Sequence, residues 1–239
     1  MIYRLLAFLV LLVAASPASA GTRAVYSSLK DRSLIQIEVA DNGDMRVGVP
    51  GSKTYMLLIG GEPYLIWNWP TGTEVMRRSD FMAVYDELNP QPAQAALLER
   101  HLSADAAHIR IEPQGAAQSN GRKGTAYLVG AGKDGPNMRI VISDDPTLAP
   151  VGRGLTELLE TLYGMMRPRL GAKAAAIPVT RQLLARFLAL GALIDSPFFR
   201  LETVEAVTID PQRLALPARP LSRDEIVRKM KGQNPADGR

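Results

Sequence analysis

Apolar and polar residues alternate over residues 34–40 and again over 45–49, which is the period of a half-buried strand. The two segments flank an Asp-Asn-Gly sequence. A two-residue Asn-Gly turn would pair Val39 with Arg46, whereas a three-residue loop pairs Val39 with Met45 and keeps apolar residues opposite each other. The pattern therefore predicts a hairpin with the three-residue loop.

Residues 54–59 and 62–69 predict a second hairpin around a Gly-Gly turn. One face of this hairpin carries apolar residues and two polar ones, namely Tyr55, Leu57, Tyr64, Ile66, Glu62 and Asn68. The opposite face is apolar and carries no charge, and its members are Met56, Leu58, Leu65, Trp67 and Trp69. Because an antiparallel sheet commonly leaves one face in water, we expect either helices of the same chain or an apolar ligand to cover the second face.

The rest of the chain predicts a mixture of helices and strands. Helical patterns cover residues 79–88, 92–103, 155–166 and 180–190, and strand patterns cover 108–112, 124–130, 137–143 and 198–209. Leu155, Leu158, Leu159, Leu162 and Met166 fall on one helical stripe. We expect Pro168 to end that helix, residues 170–178 to form a loop, and the mixed pattern of 198–209 to form an edge strand.

The C-terminal segment predicts a capped helix. Ser222 and Glu225 have the spacing of a capping box, and Leu221 and Ile226 flank the cap as a hydrophobic staple. Basic residues follow in the last turn, namely Arg228, Lys229 and Lys231. They complement the helix dipole, and they also offer a contact for an anionic membrane surface or partner.

Charge is distributed unevenly over the 239 residues, whose formal net charge is +4. Residues 212–239 hold seven cations and three anions, so this segment carries the whole excess. The body of the protein is close to neutral, and both Trp residues lie in the second hairpin, away from the basic segment. This arrangement argues against nucleic-acid binding, which requires basic residues interleaved with aromatic ones.

The first twenty residues have the three parts of a secretory signal peptide. A short start with Arg4 precedes an apolar core over residues 5–15, and a small-residue cleavage site ends at Ala20. The sequence thus predicts a periplasmic protein that is cleaved after Ala20, with a main domain over 21–220 and a basic helix and tail over 221–239. The chain has no Cys, so neither a disulfide nor a thiolate metal site can form.

Motifs of the common catalytic classes are missing from the sequence. It contains no G-x-S-x-G, no H-E-x-x-H and no Walker A loop. His101 and His108 are seven residues apart without a clear set of further ligands. We therefore expect a protein that is not an enzyme, with no catalytic residues, no metal and no cofactor.

Several segments resemble the DUF4412-type family of exported bacterial proteins. They are residues 53–56, the hairpin over 57–69, residues 109–115 and 121–127, and the closing region over 199–221. The sheet of that family is similar to the sheet of the LolA and LolB lipoprotein carriers. The resemblance implies an α+β fold, a curved antiparallel half-barrel with helices packed on its concave side, and an apolar ligand cavity.

We predict from these observations a periplasmic protein that binds or carries an apolar ligand, such as a lipid or the acyl group of a lipoprotein. The expected ligand-binding residues are the uncharged face of the second hairpin: Met56, Leu58, Leu65, Trp67 and Trp69. The alternative is a module for protein interaction or stress sensing in the cell envelope, whose apolar interior is only a packed core.

Overall fold

The computed structural model describes residues 19–90, 109–131, 137–170 and 177–232. Most of the predicted signal peptide, the predicted helix over 92–103 and both histidines lie outside the described residues, as do residues 233–239. No helix in the described ranges is long and apolar enough to cross a membrane.

Eleven strands account for most of the regular structure. They are β1 (Ser19–Ser28), β2 (Leu34–Ala40), β3 (Met45–Gly48), β4 (Thr54–Ile59), β5 (Glu62–Trp69), β6 (Gly72–Arg77), β7 (Ile109–Ser119), β8 (Arg122–Ala131), β9 (Asn137–Ser143), β10 (Ala192–Asp195) and β11 (Phe199–Ile209). They form one open antiparallel sheet in the order β6-β5-β4-β3-β2-β1-β11-β10-β9-β8-β7. Only one residue pair, Asp195 with Arg200, joins β10 to β11. The sheet is therefore continuous, but a single residue pair joins its two parts at that point.

Helices cover one face of the sheet, which we call the inner face. They are α1 (Arg78–Leu88), α2 (Ala149–Leu170), α3 (Ile177–Leu190) and α4 (Arg223–Gly232). Helix α1 packs on β5 and β6, α2 on β2, β3 and β10, and α3 on β9 and β10, while α4 lies against α1. Helix α2 comes close to the sheet at Gly154, where a Cβ atom would lie 2.9 Å from Cγ2 of Ile37.

The registers of both predicted hairpins are confirmed. Val39 pairs with Met45 across the three-residue loop. Leu57 pairs with Tyr64 in the second hairpin, and Met56 pairs with Leu65. Met56 and Leu65 belong to the main core under the helices. The helices thus provide the cover that the second apolar face of this hairpin required.

The outer face of the second hairpin is covered as well, by the end of the closing region over 199–221, for which the sequence predicts no covering role. After β11 and a short 3-10 turn (Pro211–Leu214), residues 215–221 cross the outer face, and we call them the strap. Leu216 of the strap packs on a small core of Leu57, Ile66 and Val75. The backbone N–H of Leu221 donates to the carbonyl of Val75 at 2.8 Å. The strap therefore leads the chain around the β6 edge, and α4 begins beside the inner face.

The capping box of α4 is confirmed. The backbone N–H of Ser222 donates to a carboxylate oxygen of Glu225 at 2.8 Å, and the N–H of Glu225 lies 3.4 Å from the Ser222 hydroxyl. Ile226 is fully buried in the main core. The basic C-terminal helix is consequently part of the folded body.

Predictions about a helix end, a loop and an edge differ from the structure. The helix predicted to end at Pro168 continues two residues further, to Leu170, so the proline lies in its last turn. The loop predicted over 170–178 is wrong at both ends, because Leu170 belongs to α2 and α3 begins at Ile177. The strand over Phe199–Ile209 lies between β1 and β10 in the strand order, so it is not at the end of the sheet. Its ladder with β1 runs nearly its full length, but β10 pairs with it only at Arg200. Strands β1, β6 and β10 were not predicted.

Candidate functional site

A cavity of about 560 Å³ lies on the inner face, between β5, α1, α2 and α4. Its lining is mostly apolar or aromatic: Trp67, Phe81, Tyr85, Leu88, Leu162, Met165, Met166 and Met230, with Asn89 and Lys231 as the polar members. Three elements from distant parts of the sequence thus meet one strand. The volume falls in the range of about 300–1,000 Å³ that is typical of small-molecule sites.

Aromatic rings form a row that runs from the protein surface into the wall of this cavity. The rings of Trp69 and Trp67 meet edge to face at 5.9 Å between centroids. Trp67 meets Phe81 in the same way at 5.4 Å, and Phe81 stacks on Tyr85 at 5.6 Å. Such pairs fix the orientation of each ring, so the wall is preorganised on the side of β5 and α1.

The opposite wall is made of flexible side chains. The apolar stripe of α2 begins in the core, where Leu155 and Leu159 are buried. Farther along, Leu162 and Met166 are 43% and 46% exposed, because the helix has passed beyond the strands that cover its start. Methionine adapts to irregular shapes, and Met165 and Met230 add two more thioethers. The side chains of this wall can therefore adjust to the shape of an apolar ligand.

Most polar groups near the cavity form hydrogen bonds with other groups of the protein. The Tyr85 hydroxyl donates to the carbonyl of Met165 at 2.6 Å, and this bond ties α1 to α2. The Asn89 amide donates to the carbonyl of Tyr85 at 2.9 Å. Lys231 is exposed and is the one charged residue among the described residues that line the cavity. The arrangement can therefore hold an apolar group and meet one anionic group with an ammonium.

Helix α4 is one wall of the cavity and is held by polar contacts at its surface. Lys229 pairs with Glu74 of β6, and Arg223 pairs with Glu87 of α1. At the start of the helix, hydrogen bonds from Arg219 and Ser222 hold the pKa of Glu225 well below its usual range. These contacts lie at the protein surface, where ion pairs contribute little to stability. Helix α4 is therefore held mainly by Ile226 in the core and by Val227 and Met230 packed against it, with the surface contacts in addition.

The structure separates the five predicted ligand-binding residues into two groups. Met56, Leu58 and Leu65 are buried in the core, and the Thr161 hydroxyl of α2 lies 3.7 Å from the sulfur of Met56. Trp67 lines the cavity. Trp69 is 44% exposed and reaches the cavity through its contact with Trp67.

Sequence reasoning missed most of the lining. Leu162 and Met166 were recognised as part of a helical stripe, but nothing in the stripe distinguishes buried positions from positions beyond the sheet. Phe81 and Tyr85 lie four residues apart on one face of α1, and this spacing next to a Trp-rich strand is the signal that could have indicated them.

The described residues contain no group of three potential metal ligands among His, Cys, Asp and Glu. Tyr85 and Lys231 are the ionisable side chains that line the cavity, and the hydroxyl of Tyr85 is already bonded.

Comparisons with known proteins returned no match. No family model matches the chain, and neither the curated proteins nor the solved structures contain a significant match.

Proposed function

We propose that the protein is a non-enzymatic binding protein of the periplasm that holds one apolar chain, such as the acyl chain of a lipid or lipoprotein. The observation that carries this proposal is the cavity itself, in which eight of the ten lining residues are apolar or aromatic. A site of this composition gains affinity by removing apolar surface from water and has few polar groups to satisfy.

Two further features support an amphipathic ligand. Lys231 adds an ammonium to the lining, where it can pair with a carboxylate or phosphate head group. The adaptable methionine wall accepts chains of differing length and branching. The proposed ligand therefore has an apolar tail inside and an anionic head at the surface.

The proposal extends to the shape of the sheet and to the cell compartment. We assign the open sheet to the curved half-barrel class that the resemblance to LolA and LolB implies, with the helices on its concave side. The signal peptide over residues 1–20 supports export.

Filling the cavity tests the proposal directly. Leu162→Trp places a large ring in the cavity at a position that is already 43% exposed, so the fold should tolerate it. We expect dodecanoate to bind about 15-fold more weakly, because displacing two methylene groups costs about 1.6 kcal/mol. Isothermal titration calorimetry with delipidated protein measures the change.

Leu190→Trp is the matched control, since Leu190 is also exposed, at 36%, but lies on α3 away from the cavity. The Leu190→Trp variant should bind dodecanoate with the same affinity as the unmodified protein. Native mass spectrometry of freshly purified protein should also show bound lipid. If no lipid is retained and dodecanoate does not bind, the carrier proposal is wrong, and a protein partner recovered by periplasmic crosslinking would favour the interaction module.

A further inference from the structure

A second and much smaller pocket lies on the outer face of the sheet, away from the apolar cavity. It encloses about 170 Å³. Gln36 and Glu38 of β2, Arg46 and Gly48 of β3, Tyr55 of β4 and Arg213 after β11 all line it. We call it the outer notch. Its lining is polar and charged, so it suits a different kind of ligand.

The notch exists because Gly48 has no side chain. Gly48 faces outward between Gln36 and Tyr55, its register partners on the two neighbouring strands. A Cβ atom at this position would lie 2.9 Å from the Cβ of Tyr55. The floor of the notch is therefore bare backbone, and the side chains around it form the walls.

Glu38 is buried in the outer face and its carboxylate is fully engaged. It is 1% exposed. One oxygen accepts hydrogen bonds from Arg23 at 3.1 and 3.2 Å and from Gln36 at 3.0 Å. The other oxygen accepts from Arg213 at 2.8 and 3.2 Å. Glu38 has no capacity left for another arginine.

Arg46 lies directly opposite Glu38 in the strand register, yet it does not pair with it. Its guanidinium carbon lies 3.4 Å from the centre of the Tyr55 ring instead. A guanidinium stacked on an aromatic ring keeps its N–H donors in its own plane, above the ring, where they can point sideways to a ligand. Within the described part of the chain, Arg46 has no carboxylate partner.

The local charges leave one cation in excess. Arg23 pairs with both Glu38 and Glu205, and Arg213 pairs with Glu38. Arg46 pairs with neither carboxylate, so three arginines stand beside two glutamates. The guanidinium without a carboxylate partner is that of Arg46, which lines the outer notch and stacks on Tyr55. Taking a charged group partly out of water without a partner is costly, and an anion in the notch would remove that cost.

We propose that the outer notch binds a small oxyanion, such as a carboxylate or a phosphate, through the guanidinium of Arg46. A planar guanidinium forms two parallel hydrogen bonds with two oxygens of such a group. Arg213 lines the notch on the other side and adds positive potential. The site is independent of the apolar cavity, because it lies on the opposite face of the sheet.

Side-chain NMR of arginine Nε–H groups tests the site in the full chain. Acetate and phosphate are titrated separately at constant ionic strength, so the two probes distinguish a carboxylate site from a phosphate site. We expect a saturable shift of the Arg46 signal with at least one probe. Arg46→Gln should weaken binding, measured by calorimetry, about tenfold, which corresponds to losing a charge-assisted bidentate contact.

Two further variants separate recognition from general electrostatics. Arg46→Lys keeps the charge but loses the planar fork, so it should bind the same probe more weakly than the unmodified protein. Arg139→Gln removes an exposed cation on β9 and should leave the affinity unchanged. A shift that does not saturate, or an equal loss in the Arg46→Gln and Arg139→Gln proteins, would overturn the proposal.

Discussion

Gly191 is the single residue between α3 and β10, and its backbone conformation and close contacts restrict which residue type can stand there. Its φ angle is +136°, and a Cβ atom there would lie 2.2 Å from the carbonyl oxygen of Ser143. Its N–H still donates to the carbonyl of Phe187 at 3.1 Å, which closes the helix. The chain thus leaves α3 and enters β10 within one residue, pressed against the end of β9.

Gly191→Ala should cost about 3 kcal/mol or more in the free energy of unfolding, because backbone strain of about 1–3 kcal/mol adds to a collision with backbone atoms. Gly72→Ala is the matched control. Gly72 has a similar φ of +138° but meets no atom within 4 Å, so this variant should lose only the strain. Urea denaturation followed by circular dichroism measures both, and equal losses would show that the contact with Ser143 has no energetic weight.

At the scale of elements, the start of α4 combines a helix cap with an ion pair. Arg219 donates to Glu225 at 2.6 Å, and both the N–H and the hydroxyl of Ser222 donate to the same carboxylate. Arg219 contributes most to the lowered pKa of Glu225, followed by Ser222. A depressed carboxyl pKa means that the contact stabilises the folded state at neutral pH and that acid removes this stabilisation.

Acid should therefore loosen α4 before the sheet unfolds. The stabilisation is complete above the ordinary carboxyl pKa of 4.5 and is lost as the pH falls below it toward the lower pKa of the folded state. Emission from Trp67, which lines the cavity together with Met230 of α4, reports the change. In the Glu225→Gln variant, the Trp67 emission at neutral pH should already resemble that of the acid-loosened protein, and it should change less on acidification. The Asp224→Asn variant should behave like the unmodified protein. An unchanged acid response in Glu225→Gln would contradict this assignment.

Hairpins were predictable from the sequence because their registers are local. The Asp-Asn-Gly loop and the Gly-Gly turn fix which residues face each other, so the pairing of Val39 with Met45 follows from alternation alone. The capping box of α4 is equally local. These elements required no knowledge of the rest of the fold.

Strands β1, β6 and β10 could not be predicted in the same way. Strand β10 has only four residues, and its burial depends on α2 and α3 packing above it. Strand β1 has weak alternation, and its partner β11 lies near the other end of the chain. The cavity was missed for the same reason, since Phe81, Leu162 and Met230 become neighbours only through tertiary packing.

At the scale of the whole molecule, the basic face of α4 lies beside the proposed ligand site. Lys231 lines the cavity, while Lys229 is paired with Glu74. Arg228 is exposed and forms no ion pair within the described residues. We infer that an anionic membrane surface would meet this end of the molecule and bring the cavity close to the lipid.

Replacing Arg228 and Lys231 together by Gln should weaken binding to vesicles of phosphatidylcholine and phosphatidylglycerol about 30-fold. Each basic residue near an anionic surface contributes about 1 kcal/mol, so two contribute about 2 kcal/mol. Vesicle sedimentation at low salt measures this change.

The double variant Lys123→Gln with Arg139→Gln removes the same net charge from exposed positions on β8 and β9. Its vesicle binding should change much less. Equal losses in the two double variants would mean that total charge, and not the position of α4, governs membrane contact.

Strands β1 and β11 form the central ladder of the sheet, although Arg23 and its partner Glu205 are 182 residues apart in the chain. The ladder can therefore form only once the chain through β11 is present, and closing so long a loop slows folding. A nascent or prematurely terminated chain would leave β1 as an unpaired edge and the small core of Leu57, Ile66 and Val75 uncovered. A chain that ends before β11 should therefore aggregate more readily than one that contains both β11 and the strap.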